Sequence, residues 1–314
     1  MKFPALETAE RWLDRGEFRS TPFSLLRPFT WVAPNHPIAR RELHLMQRVG
    51  RQWDGAWGCV WFFVFVGPLF GSLACGVGAF FSSIIDAYDA LFWLFGLWQL
   101  QLLPTLGMKL FASLAAAVVI ARERETQNWP LLRITPFSIP NILNAKLAGL
   151  YYWLEDSFRL MLYARGILAL ATFIVCAALV YQTQPTVAAE SQWLLWVGGG
   201  LTATLFAMFA FAELIVGLLY HFAVGLCVSA YSRASGAAIA FTFLAHLVLW
   251  AFIFMPVERL STFATTQSIV ALYPSQFANV IAFGVSSFFI PVLIQAGLTI
   301  GAYALAVRQA RIAE

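Results

Sequence analysis

The sequence predicts an all-α integral membrane protein. It would have six transmembrane helices, an N-terminal amphipathic interfacial helix and cytoplasmic termini. Three observations carry this expectation. Of the 314 residues, 60% are hydrophobic and only 11% are charged, whereas a soluble domain carries roughly 25% charged residues. Six tracts approach or exceed the roughly 20 apolar residues that a membrane helix needs. The basic residues then fall almost entirely on one side of the bundle those tracts define.

Residues 1–55 form the expected cytoplasmic N-terminal segment. "MKFPALETAERWLDRGEFRS" mixes acids and bases and has no apolar h-region, so it does not read as a signal peptide. Further on, "NHPIARRELHLMQRVGRQW" reads as an amphipathic helix. Asn35 can cap it and Pro37 fits its first turn. Ile38, Leu45, Met46, Val49 and Trp53 fall near one stripe, with Arg40, Arg41, Arg48 and Arg51 mostly elsewhere. The expectation is a helix in the inner headgroup layer, serving either as an anchor or as an elbow into the first span.

Residues 56–314 form the six-span domain. The spans run from about Trp57 to Phe81, Leu91 to Ala121, Tyr163 to Tyr181, Trp193 to Ala230, Gly236 to Met255 (stopped by Pro256) and Gly284 to Val307. The fourth is long for one span and too short for two with a turn, so it is counted once, as broken or tilted. With six spans, 18 of the 20 basic residues share the side of the termini. These include Arg159 and Arg165, read as part of the loop between spans two and three. The opposite side keeps Arg259, and Lys109 lies inside span two. The net charge of +4 thus reads as membrane topology rather than nucleic-acid binding. The outer segment at about 257–283 is too apolar for a free loop and is read as a re-entrant pair of short helices.

The cytoplasmic loop at about 122–146 is the most informative stretch. "ARERETQNWPLLRITP" places Arg122, Glu123, Arg124, Glu125 and Thr126 at the end of span two. Trp129, Leu131 and Leu132 follow as an apolar tip. Pro130 breaks the helix, and Ser138 with Pro140 opens another through "NILNAKLAGL". Exposed apolar residues rimmed by charge suit a docking surface, and they suit an interfacial aromatic anchor equally.

Four polar residues stand inside the apolar tracts: Lys109, Glu213, His221 and His246. A charge at the bilayer centre costs about 2.5–3.5 kcal/mol on insertion scales, so Lys109 and Glu213 are a candidate pair or a substrate-path lining. Each His reads first as a hydrogen-bonded neutral packing residue, and otherwise as part of a path lining. Trp57, Trp61, Trp93, Trp98, Trp193 and Trp196 sit near span ends and read as an interfacial belt. Gly198, Gly199, Gly200, Ala203 and Ala207 suit close helix packing. Cys59, Cys75, Cys176 and Cys227 lie in apolar tracts without metal-ligand spacing, and no metal is expected.

"ARERETQNWPLLRITPFSIPNILNAK" resembles the loop between spans two and three of type-2 permease subunits of ATP-binding-cassette transporters. The matching residues are Glu123, Arg124, Glu125, Thr126, Leu131, Leu132, Thr135, Pro136, Ser138 and Lys146. "PIARRELH" resembles that family's helix before the first span, and "VSAYSRASGAA" its small-residue turn after span four. The long outer segment stands where the family carries re-entrant helices. The likeness runs from about Asn35 to the end. Gln127 and Asn128 depart from it, since the family often has Gly-Thr there. So does the charged "YYWLEDSFRLMLYAR", which leaves the start of span three the least determined boundary. The resemblance implies a coupling helix pushed by a separate cytoplasmic ATPase, a second permease subunit, export as the usual direction, and residence in the cell membrane. The chain has no G-x-x-x-x-G-K-[ST] phosphate loop, so ATP would be bound by the partner and the chain would have neither cofactor nor catalytic residue of its own. The alternative is a structural or assembly subunit that keeps the fold without transport. An intramembrane enzyme would need a nucleophile–base pair or metal cluster, and neither is legible.

Overall fold

Helix is the only regular structure among the described residues, which are 36–50, 87–135, 137–183, 192–257, 259–260 and 288–312 of the computed structural model. The first expected span, residues 1–35 and 51–56, and nearly all of the outer segment at 257–283 lie outside them. In chain order the helices are α1 (Pro37–Gly50), α2 (Ala87–Glu125), α3 (Trp129–Arg133), α4 (Ile139–Thr183), α5 (Gln192–Tyr231), α6 (Ser235–Leu249) and α7 (Ile290–Ile312). Five of them, α2 and α4–α7, are long and apolar enough to cross a bilayer.

Two boundaries differ from expectation. The short helix opened by Ser138 and the third span are one unbroken helix of 45 residues. Glu155 and Arg159 pair at 2.7 Å one turn apart, so the charges that suggested a break sit within it. Nor does Pro256 stop the fifth span. A π-turn at Trp250–Phe254, in which the Met255 N–H reaches the Trp250 carbonyl, carries the helix through to Val257. The wider turn accommodates a proline that lacks its own N–H. The fourth span, α5, is likewise a single helix of 40 residues, tens of ångströms longer than a bilayer core at roughly 1.5 Å per residue.

The helix α5 is the hub, packing on α2, α4, α6 and α7. Ala112, Ala115, Ala116, Val119 and Ile120 of α2 meet Leu214, Leu218, Phe222 and Leu226 of α5 in the main core. A second core toward the far end gathers Leu94 and Trp98 of α2, Leu168, Val175 and Leu179 of α4, Phe206 of α5 and Phe288. Trp98 therefore does not belong to an interfacial belt. It is fully buried, edge-on to Phe206 and Phe288, with its indole N–H donated to Thr172 Oγ1 at 3.2 Å. Trp93, Trp193 and Trp196 are exposed, as a belt requires.

Small residues set the helix spacing, and of the expected run Gly199 and Ala203 are buried. Gly198 and Gly200 face open space. The close approach is at Gly225, where an added Cβ would collide with the Ser113 carbonyl and meet Ala116 Cβ at 3.0 Å. Ser229 Oγ, one turn further, accepts the Ile120 and Ala121 N–H groups at 2.9 and 3.0 Å. Gly225→Leu is expected to wedge α2 from α5 and cost about 3 kcal/mol, the upper end for overpacking. The check is thermal unfolding in detergent, read by reaction of the buried Cys176 thiol. An unchanged midpoint would show that the two helices have room to part.

Helix α1 packs on α4 through Ile38, Ala39, Glu42, Leu43 and Met46, all buried. An added Cβ at Gly149 would lie 2.5 Å from the Ala39 carbonyl, so α1 lies directly on the α4 backbone. Its inward stripe thus includes Ala39, Glu42 and Leu43, and it faces protein rather than headgroups. Expected stripe members Ile38 and Met46 are buried, whereas Leu45 is only half-buried; Trp53 lies outside the described residues.

Candidate functional site

Two constellations of buried charge sit at different depths of the bundle. The first knots the α2–α4 loop to α1. Lys146 Nζ, fully buried, donates to Glu42 Oε1 at 2.5 Å and to Glu123 Oε1 at 2.9 Å. Arg122 closes on Glu42 Oε2 at 2.9 Å, and Arg41 on Glu123 Oε1 at 3.0 Å. Each buried carboxylate thus has the shared lysine and one arginine that reaches outward. Carboxylates this deep persist only when paired and hydrogen-bonded. The ring contact of His36 with Phe137, 5.1 Å between centroids, ties the far side of the loop to the start of α1.

The remaining charges of the run order the turn itself. Glu125 accepts the Ser235 N–H at 3.2 Å and its hydroxyl at 2.7 Å, capping α6 from outside. Arg124 donates to the Ser232 carbonyl at 3.4 Å. Thr126 Oγ1 donates back to the Arg122 carbonyl at 2.9 Å and accepts from Asn128 Nδ2 at 2.9 Å. The Asn128 N–H reaches the Glu123 carbonyl and the Gln127 N–H that of Arg124, at 2.7 and 3.1 Å. This is a Schellman closure, with Gln127 in the left-handed region at φ 58° where glycine is the usual occupant. So the departure noted at Gln127 falls on the one backbone position, among the described residues, where a non-glycine side chain sits at positive φ and costs conformational energy.

Of the expected apolar tip only Leu131 is exposed. Trp129 is 3% exposed and belongs to the main core. Leu132 packs against that core and is half-buried. What α3 and the turn after it present to solvent is Leu131, 60% exposed, and Ile134, 81% exposed. Trp129 is the pin that seats α3, and Leu131 with Ile134 form its outer face.

The second constellation lies in the middle of the helices. Lys109 of α2 pairs with Glu213 of α5, as expected, and also donates to the Glu213 carbonyl at 3.3 Å. Arg165 of α4 completes it, with Nη2 on Glu213 Oε2 at 2.7 Å and Nη1 on the Ala210 carbonyl. All three side chains are buried. From sequence Arg165 is expected in the cytoplasmic loop. Because α4 is continuous, Arg165 is nineteen residues beyond Lys146, about 28 Å deeper into the bundle at roughly 1.5 Å per residue. Nearby, His221 and His246 stack with ring centroids 4.6 Å apart. His246 Nε2 bonds Ser113 Oγ at 2.7 Å, and His221 Nδ1 donates to the Gly217 carbonyl at 2.7 Å. Among the described residues no cluster of three or more His, Cys, Asp or Glu could hold a metal ion.

Comparison of the chain with protein-family models, with curated proteins and with solved structures gave no match. The functional reading therefore stands on these residues.

Proposed function

We propose that this chain is the membrane-spanning permease subunit of an ATP-binding-cassette transporter, most simply an exporter of the cell membrane with cytoplasmic termini. A separate ATPase binds ATP and docks on the α2–α4 loop, and a second permease subunit completes the pore. One observation carries the reading. The short helix α3 and the turn after it offer Leu131 and Ile134 outward, while Trp129 seats α3 in the main core and the Lys146 knot at the base of the loop ties α1, α2 and α4 together. A force applied to α3 would then move whole helices rather than a slack loop. Such a rigid apolar tip is what a partner in water can push, and a loop serving only as an anchor has no need of buried ion pairs at its base.

The test is copurification in mild detergent, with ATP hydrolysis measured in the eluate. Leu131→Asp combined with Ile134→Asp leaves Trp129 and the ionic knot untouched. The wild type is expected to bring an ATP-hydrolysing chain, and the double variant to lose about tenfold or more of it, since a central apolar anchor is worth roughly 2 kcal/mol. No ATPase with either protein would favour the non-transporting structural subunit.

A further inference from the structure

A cavity of about 420 Å³ opens between α2, α5, α6 and α7, within the size range of small-molecule sites. Its mouth is apolar. Leu106, Phe243, Leu247 and Trp250 line it, and each is half or more exposed on the outer face of the bundle. In a bilayer that mouth faces sideways, toward acyl chains. Its floor is polar, with Glu213, Tyr220, His221, His246 and Gln295. Such a floor is costly beside hydrocarbon unless something satisfies it.

The floor offers acceptors. Gln295 is 7% exposed, and its buried Oε1 has no hydrogen-bond partner. A carbonyl can only accept, so His221 carries a proton on Nδ1 toward Gly217, which in the neutral tautomer leaves Nε2 as an acceptor. Glu213 adds a carboxylate. Charge narrows the ligand further. Lys109 and Arg165 lie behind Glu213 and do not line the cavity. Two cations on one carboxylate leave a net positive charge behind the wall that repels a cationic head. The wall itself presents the carboxylate and neither cation, so an anionic head meets no direct cationic partner there.

We propose that this cavity binds an uncharged amphiphile, its hydrocarbon chain leaving through the Leu106–Trp250 mouth and its hydroxyl-bearing head donating to Gln295 and His221. The site depends on these helices lying in a membrane and not on ATPase docking, so either idea can fail alone.

The test uses the full chain in phosphatidylcholine nanodiscs and three photoreactive probes. They share one diazirine-bearing octyl chain and carry a glucose, a trimethylammonium or a sulfate head. Crosslinks are mapped by mass spectrometry. The glucoside is expected to label the Phe243–Trp250 segment at least about threefold above either charged probe, the worth of one hydrogen bond in a membrane protein. Gln295→Leu, of similar volume, is expected to lower that labelling about three- to tenfold. Leu247→Trp, which fills the mouth, is expected to lower it as far. Labelling around the exposed Ile300 and Leu305 of α7 should not change in either variant. Equal labelling by all three heads would mean hydrocarbon partition alone and would overturn the proposal. So would stronger labelling by a charged probe, or an unchanged signal in Gln295→Leu. Where Gln295→Leu does not fold, the head-group ranking in the wild type together with Leu247→Trp decides.

Discussion

Glu213→Leu is expected to destabilise the bundle by about 3–5 kcal/mol, the cost of leaving a buried charge without its partner. The substitution strands two cations at once, because Lys109 and Arg165 share that single carboxylate. Lys109→Met and Arg165→Leu each leave one cation paired with Glu213, a neutral couple, and are expected to cost less. Replacing all three by apolar residues of matched volume removes the desolvation cost together with the attraction, and is expected to recover most of the loss. Thermal unfolding in detergent, followed through the Cys176 thiol, ranks the four proteins. A loss in Lys109→Met equal to that in Glu213→Leu would show that packing around the triad, and not its charge balance, is what matters.

Lys146→Met is expected to cost about 3 kcal/mol and to loosen α1 from α4. Among the described residues the lysine is the only group that touches both buried carboxylates of the loop knot. Without it, Glu42 and Glu123 keep one partly exposed arginine each and repel one another across the gap. The readout is limited trypsin digestion, since Arg40 and Arg41 lie on α1. Faster cleavage there, with the midpoint of the bundle lowered, is the expected pattern. Cleavage at the wild-type rate would mean that the Gly149 contact alone seats α1. The same variant bears on the proposed coupling role. A loosened α1 should uncouple ATP hydrolysis from any partner-driven movement even where the ATPase still binds through Leu131.

Some of these features were legible because lipid restricts what a sequence can do. A carboxylate and an ammonium inside separate apolar tracts are each expensive alone, so the Lys109–Glu213 pair could be anticipated without coordinates. Arg165 could not. The run from Glu155 to Arg159 is polar enough to look like a loop, and a loop there draws Arg165 out of the membrane. Only the continuity of α4, which buries Glu155 and pairs it with Arg159 one turn on, carries Arg165 down to Glu213. Trp129 and Leu131 show the same limit on a smaller scale. Both are large and apolar, and a five-residue helix points one inward and the other outward. Nothing in composition distinguishes them; the rotation of that turn does. The glycines divide in the same way, since Gly198 and Gly225 both stand in α5 but only Gly225 faces α2 at contact.

The class of protein follows from composition and hydropathy alone. Scarce charge and long apolar tracts leave helices as the economical way to satisfy the backbone in lipid, and that argument requires no neighbours. The sequence also places the α2–α4 loop and its charge run, because caps and proline breaks act within a few residues. Partnership, by contrast, comes from the packing of the helices. Lys146 was one lysine in a helix until α1 and α2 brought Glu42 and Glu123 to it. The polar cavity exists only where α5, α6 and α7 turn His221, His246 and Gln295 toward one space. Pairing across more than a hundred residues depends on helix rotation and depth, which packing sets and local sequence does not encode.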